Sequence, residues 1–251
     1  MCKVIEFGRC KLLAEELIDS VQLFKFDQCP NLEKVILNVA FDLEELAPIC
    51  RQKIATVKQL SFDPKLEINC FEMDHVSSLI LHGSNFNFCK TLKFIGKFAK
   101  NLHYLDIELE PWSEEVFENG FTPMFQGLSD SLKTVNLDMD IRISEYDLSC
   151  ELLKTLSKNC TKLVNLRFHL RFNQSRPLPT VENCFNSLKK LIVPELKFVD
   201  ALISDNNCLT KLFIEQATME ELRNFDLTTL GQKLKMLKKC YINVRPGRYT
   251  G

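Results

Sequence analysis

Leu132-Lys-Thr-Val135-Asn-Leu137 and Leu163-Val-Asn-Leu166-Arg-Phe168 share one spacing: an apolar residue, then two more at the third and fifth positions after it. The same triplet occurs upstream at Cys2-Ile5-Phe7, Leu32-Val35-Leu37, Val57-Leu60-Phe62, Val76-Leu79-Leu81 and Leu102-Leu105-Ile107. Downstream it occurs at Leu188-Leu191-Val193, Leu209-Leu212-Ile214 and Leu237-Cys240-Ile242. Successive first positions lie 19 to 31 residues apart, a period that signals stacked supersecondary units. Ten matches are too many for coincidence in a generic α/β domain. They move the question of function from a pocket to a surface.

Residues two apart in a strand share a face, so Val135 with Leu137, and Leu166 with Phe168, point into a common core. The leading Leu turns into the same core from the approach to the strand. One such strand cannot bury its apolar face alone; stacked on its neighbours with a helix behind each, it can. The expected architecture is a single α/β domain spanning 1–251, with about ten irregular repeats in a horseshoe-shaped solenoid. Parallel strands form its concave side and helices its convex side. Helices are expected over Arg9–Gln28 and after Ser144, where Leu148, Leu152, Leu153, Leu156 and Cys160 recur at helical spacing. Another is expected from Pro194, with proline in its first turn. Glu108 to Pro123 reads as an acidic loop followed by a short helix, with Trp112 either an exposed anchor or a plug on the core.

A net charge of −1 gives no global electrostatic case for nucleic acid or membrane. Charged residues Lys3, Glu6, Arg9 and Lys11 break up the start, and no apolar run approaches membrane-spanning length. The expectation is a soluble, cytoplasmic or nuclear protein. The eleven cysteines are odd in number and lack zinc-ligand spacing, so they read as small apolar residues in a reducing compartment. The four histidines fall on different repeats, and no nucleophile elbow, phosphate loop or zinc-protease motif is present. Neither catalysis, a metal nor a cofactor is expected.

Two cysteines occupy one place in the repeat: Cys29-Pro-Asn-Leu32 and Cys160-Thr-Lys-Leu163 each set Cys three residues before the leading Leu, at the end of the preceding helix. This resembles the cysteine-containing class of leucine-rich repeats found in F-box proteins of the ubiquitin system, although no F-box segment is visible ahead of Cys2. The resemblance implies a non-catalytic protein–protein recognition module, the substrate-recognition part of a ubiquitin ligase, with ligase subunits as further partners. The alternative is a free-standing inhibitor or scaffold resembling ribonuclease inhibitor.

The register also names the outward residues. Tyr104, Asp106, Glu108, Asn136 and Asp138 form an acidic patch flanked by Arg167 and His169, and these seven are the expected partner-binding surface for a basic protein or peptide. Farther along, Lys190, Lys211 and Lys239 border Ile192, Phe213 and Tyr241. Exposed aromatics beside charge suit a polypeptide ligand; the acidic neighbours weigh against nucleic acid.

Overall fold

A parallel strand needs a crossover before the next can pair with it, and the repeat intervals supply one each time. The computed structural model describes residues 4–7, 34–37, 59–62, 76–83, 88–109, 114–140, 146–171, 185–196, 198–199 and 208–245. All ten sequence triplets end on strands. The chain divides into two compact units, Met1–Leu132 and Lys133–Gly251.

In the first unit, β1 (Val4–Phe7), β2 (Lys34–Leu37), β3 (Gln59–Phe62), β4 (Ser78–Gly83) and β5 (Tyr104–Leu109) pair in chain order, each pair parallel. In the second, β6 (Thr134–Asp140), β7 (Asn165–Arg171), β8 (Lys190–Val193), β9 (Lys211–Ala217) and β10 (Lys239–Val244) do the same. The fold is therefore α/β with an open, all-parallel sheet. Apolar positions pair with apolar positions: Leu79 with Leu105, Val135 with Leu166, Leu166 with Leu191, and Leu191 with Leu212. All of these are buried, as are Leu137 and Phe168.

One hydrogen-bond device recurs where strands begin. Two consecutive amides donate to a single carbonyl of the preceding repeat: His103 and Tyr104 to Ser77, Val164 and Asn165 to Lys133, Lys189 and Lys190 to Val164. Thr210 and Lys211 donate likewise to Lys189, and Lys238 and Lys239 to Thr210, all at 2.8–3.1 Å. Because the same repeat positions are used each time, the periodicity belongs to the backbone as well as to the side chains.

A second device explains the cysteine position. The leading Leu donates its amide to the residue three places back: Leu102 to Ala99, Leu163 to Cys160, Leu188 to Phe185 and Leu237 to Leu234, at 2.9–3.1 Å. All four acceptor residues are buried. The position thus needs a buried apolar side chain in a tight turn, and cysteine is one that fits. Burial pushes the Cys160 thiol up to about 12, so it stays protonated and inert. Phe185 adopts this turn with φ 58, in the left-handed region bulky residues avoid.

The described helices are α1 (Phe88–Phe98), α2 (Glu114–Val116), α3 (Thr122–Gly127), α4 (Tyr146–Asn159), α5 (Met219–Asn224) and α6 (Leu227–Lys233), with a π turn at Phe117–Phe121 joining α2 to α3. Helix α4 matches the expectation after Ser144 and buries Leu152, Leu153 and Leu156. The expected Arg9–Gln28 helix and Trp112 lie outside the described residues. At Pro194 the expectation needs correction. Pro194 still follows the ladder, its carbonyl accepting from Gln216 N–H at 2.8 Å, and a bend follows before helical backbone appears at 198–199.

Helices α1 and α3 touch backbone to backbone. A Cβ on Gly127 would overlap the Gly96 carbonyl, and one on Gly96 would lie 2.5 Å from Met124 Cα. Lys100 Nζ donates to the Gly96 and Gly127 carbonyls at 2.8 and 3.2 Å, tying the two helix ends together. Buried Phe121 and Phe125 stack at 5.8 Å beside this contact. Among the described residues no helix is long and apolar enough to cross a membrane.

Candidate functional site

Inward apolar positions alternate with outward ones, so each strand delivers a polar or aromatic column to the opposite face. In the first unit, Tyr104, Asp106 and Glu108 alternate along β5 with buried Leu105 and Ile107. Tyr104 and Asp106 are half-buried and Glu108 is exposed. The Tyr104 hydroxyl donates to Asp106 Oδ2 at 2.9 Å, fixing one carboxylate oxygen and leaving the phenol ring as apolar area beside it.

The other four predicted residues belong to the second unit. Cross-strand register sets Asn136 beside Arg167 and Asp138 beside His169. Below them, Asn165 Nδ2 donates to Thr134 Oγ1 at 3.0 Å. Arg167 and His169 are not left to an incoming ligand as the sequence suggests. Arg167 donates to Glu215 Oε1 at 2.9 Å, and His169 Nδ1 sits 2.8 Å from Glu215 Oε2.

Glu215 lies on β9, two strands from β7. On β8, between them, stands Ile192, in the row of Arg167, followed by the buried Pro194. Local spacing in the sequence gives no reason to connect Glu215 with Arg167 or His169. An exposed ion pair of this kind contributes about 1 kcal/mol or less, so its main effect is to fix Arg167 and His169 in place.

Beyond Glu215 the outward face changes character. Register aligns Lys190, Lys211 and Lys239 in one row and Ile192, Phe213 and Tyr241 in the next, with strands about 4.8 Å apart. Phe213 and Tyr241 stack at 4.7 Å with 10° between their planes, and Lys190 Nζ lies 5.3 Å from the Phe213 centroid. Each face of the Phe213 ring is therefore occupied, one by a cation and one by the tyrosine. Tyr241 remains half exposed.

Among the described residues, no group of three or more His, Cys, Asp or Glu gathers as metal ligands. No protein-family model matches the chain, and no curated protein matches it in sequence.

Proposed function

We propose that this chain is a leucine-rich-repeat solenoid of the cysteine-containing type, working as a non-catalytic polypeptide-recognition module. Its partner lies across the outward face of the sheet, in the role of a target held by the recognition part of an F-box-type ubiquitin ligase. The recurrent two-amide hydrogen bond supports the repeat assignment, since it falls at equivalent positions of successive units. The observation that carries the recognition role is the outward face itself: stacked Phe213 and Tyr241 beside the row Lys190, Lys211 and Lys239. Aromatic anchors rimmed by charge are what binding surfaces have in common.

The seven proposed ligand-binding residues divide between the units: Tyr104, Asp106 and Glu108 stand on β5 of the first, and Asn136, Asp138, Arg167 and His169 on β6 and β7 of the second, each set proposed as a ligand surface of its own unit. The Tyr104–Asp106 hydrogen bond favours a second reading, an inhibitor or scaffold meeting a basic target, because it holds a carboxylate oriented before any ligand arrives. Affinity purification followed by quantitative binding of the recovered partner separates the two. Asp106→Lys/Asp138→Lys abolishes binding of a basic target, whereas Lys190→Glu/Lys211→Glu abolishes binding of an acidic one. A folded pair of double mutants that both bind as the wild type does rules out the outward face.

A further inference from the structure

The last strand breaks the burial rule that its neighbours keep. Leu212 and Ile214 on β9 are sealed, yet their register partners on β10, Cys240 and Ile242, are exposed and half-exposed. Met236, just before β10, is 52% exposed. On one side β10 pairs with β9; among the described residues no strand pairs on the other. Lys239 N–H donates to Thr210, and alternation along a parallel ladder then turns the amides of Cys240 and Ile242 toward the open side.

Charge states what can lie there. Lys233, Lys235, Lys238, Lys239 and Arg245 are all exposed, and the segment 233–245 contains no Asp or Glu. A second copy of this edge would bring five cations against five and be repelled. Single-stranded nucleic acid would answer the charge and could stack a base on Tyr241, but it would leave the open-side amides and the uncovered row of Cys240 and Ile242 without a match. An acidic polypeptide in extended conformation meets the charge, the open amides and the uncovered apolar row together.

We infer that β10 is a strand-addition site for an acidic, extended segment of a partner protein. Continuing the β9–β10 register, the added strand sets an acidic side chain beside Lys239 and an aromatic one on the outer face of Tyr241. Apolar side chains cover Cys240 and Ile242. Lysines on an edge strand also discourage aggregation; that role alone would leave the edge unable to take up a strand. The inference rests on the recognition reading only in that the ligand is a polypeptide, because the docking element is an edge and not the outward face.

The test is fluorescence anisotropy of the 251-residue chain with a labelled decapeptide whose sequence repeats Glu-Val-Tyr-Val. Binding is expected at low salt and weakens as salt rises. Lys239→Glu weakens it by about tenfold. A peptide N-methylated at the amides that would pair does not bind, and bound peptide protects Cys240 but not Cys208 from alkylation. Ile242→Pro removes one open-side donor without touching the β9 ladder, a substitution edge strands accept, and it lowers affinity. Equal binding of the N-methylated peptide, no binding at low salt, preference for polyuridylate, or dimerisation through β10 would each overturn the inference. Asp106→Lys/Asp138→Lys leaves this peptide's affinity unchanged, so failure of the outward-face reading registers separately.

Discussion

The contact between α1 and α3 and the edge at β10 are opposite uses of the same chain. At the first, glycines at 96 and 127 let two backbones meet, phenylalanines fill the space beside them, and Lys100 satisfies the terminal carbonyls. At the second, apolar side chains in core register stand partly uncovered on an edge that, among the described residues, no further strand pairs with. Strand β9 pairs with both β8 and β10, whereas among the described residues β10 pairs with β9 alone. The same alternation that seals Leu212 and Ile214 on β9 leaves Cys240 and Ile242 on β10 partly uncovered.

Substitutions at equivalent positions test this contrast. Leu166 and Ile242 both occupy inward register positions, one sealed and one half-open. Leu166→Asp is expected to lose about 4 kcal/mol or more, because a carboxylate is buried without a partner. Ile242→Asp loses a small fraction of that in the same urea titration. Equal losses would erase the distinction.

The glycines give the next effect. Gly127→Ala forces the α1 and α3 backbones apart and is expected to cost about 3 kcal/mol. Gly231, in α6, has nothing within 4 Å of an added Cβ, so Gly231→Ala stabilises by about 0.5–1 kcal/mol through helix propensity. Thermal melts showing the same sign for both would contradict the close approach.

Smaller still are the caps of the helices leading into β10. Thr218 and Glu221 form a reciprocal capping box on α5, with Glu221 N–H donating to Thr218 Oγ1 at 3.1 Å and Thr218 N–H to Glu221 Oε2 at 2.7 Å. Thr218→Ala is expected to cost about 1 kcal/mol in chemical denaturation.

Asp226 caps α6, accepting from Thr228 and Thr229 N–H at 2.9 and 3.0 Å. The Thr229 hydroxyl, foremost, and these amides hold its carboxyl below the usual carboxylate range. A pKa lower in the folded than in the unfolded state stabilises above the unfolded value, and this stabilisation is lost as pH falls through the folded one. Local unfolding of α6, followed by NMR on acidification, should therefore track Asp226 and lose that dependence in Asp226→Asn.

The strands were legible because a two-residue alternation repeated ten times leaves one register, the one that buries Leu79, Leu105, Leu166, Leu191 and Leu212. Helix α4 was legible from Leu152, Leu153 and Leu156 for the same reason. Pro194 misled because proline at a helix start and proline ending a ladder look alike in sequence; the hydrogen bond from Gln216 decides between them. The outward columns were readable, but their internal pairing was not. Arg167 and His169 meet Glu215 from 48 and 46 residues away across a strand, and local spacing carries no trace of that reach. The aromatic stack was visible as two neighbours in a column; that its faces are occupied required coordinates.

Amide hydrogen exchange resolved by residue tests the contrast between sealed and open strands most directly. In the isolated chain, the amides of Leu212 and Ile214 should exchange slowly, as should Tyr241, whose N–H turns toward β9. Cys240 and Ile242, on the same strand but facing outward from the ladder, should exchange fast. Uniform protection along β10 would show that its edge is already covered and would contradict the account.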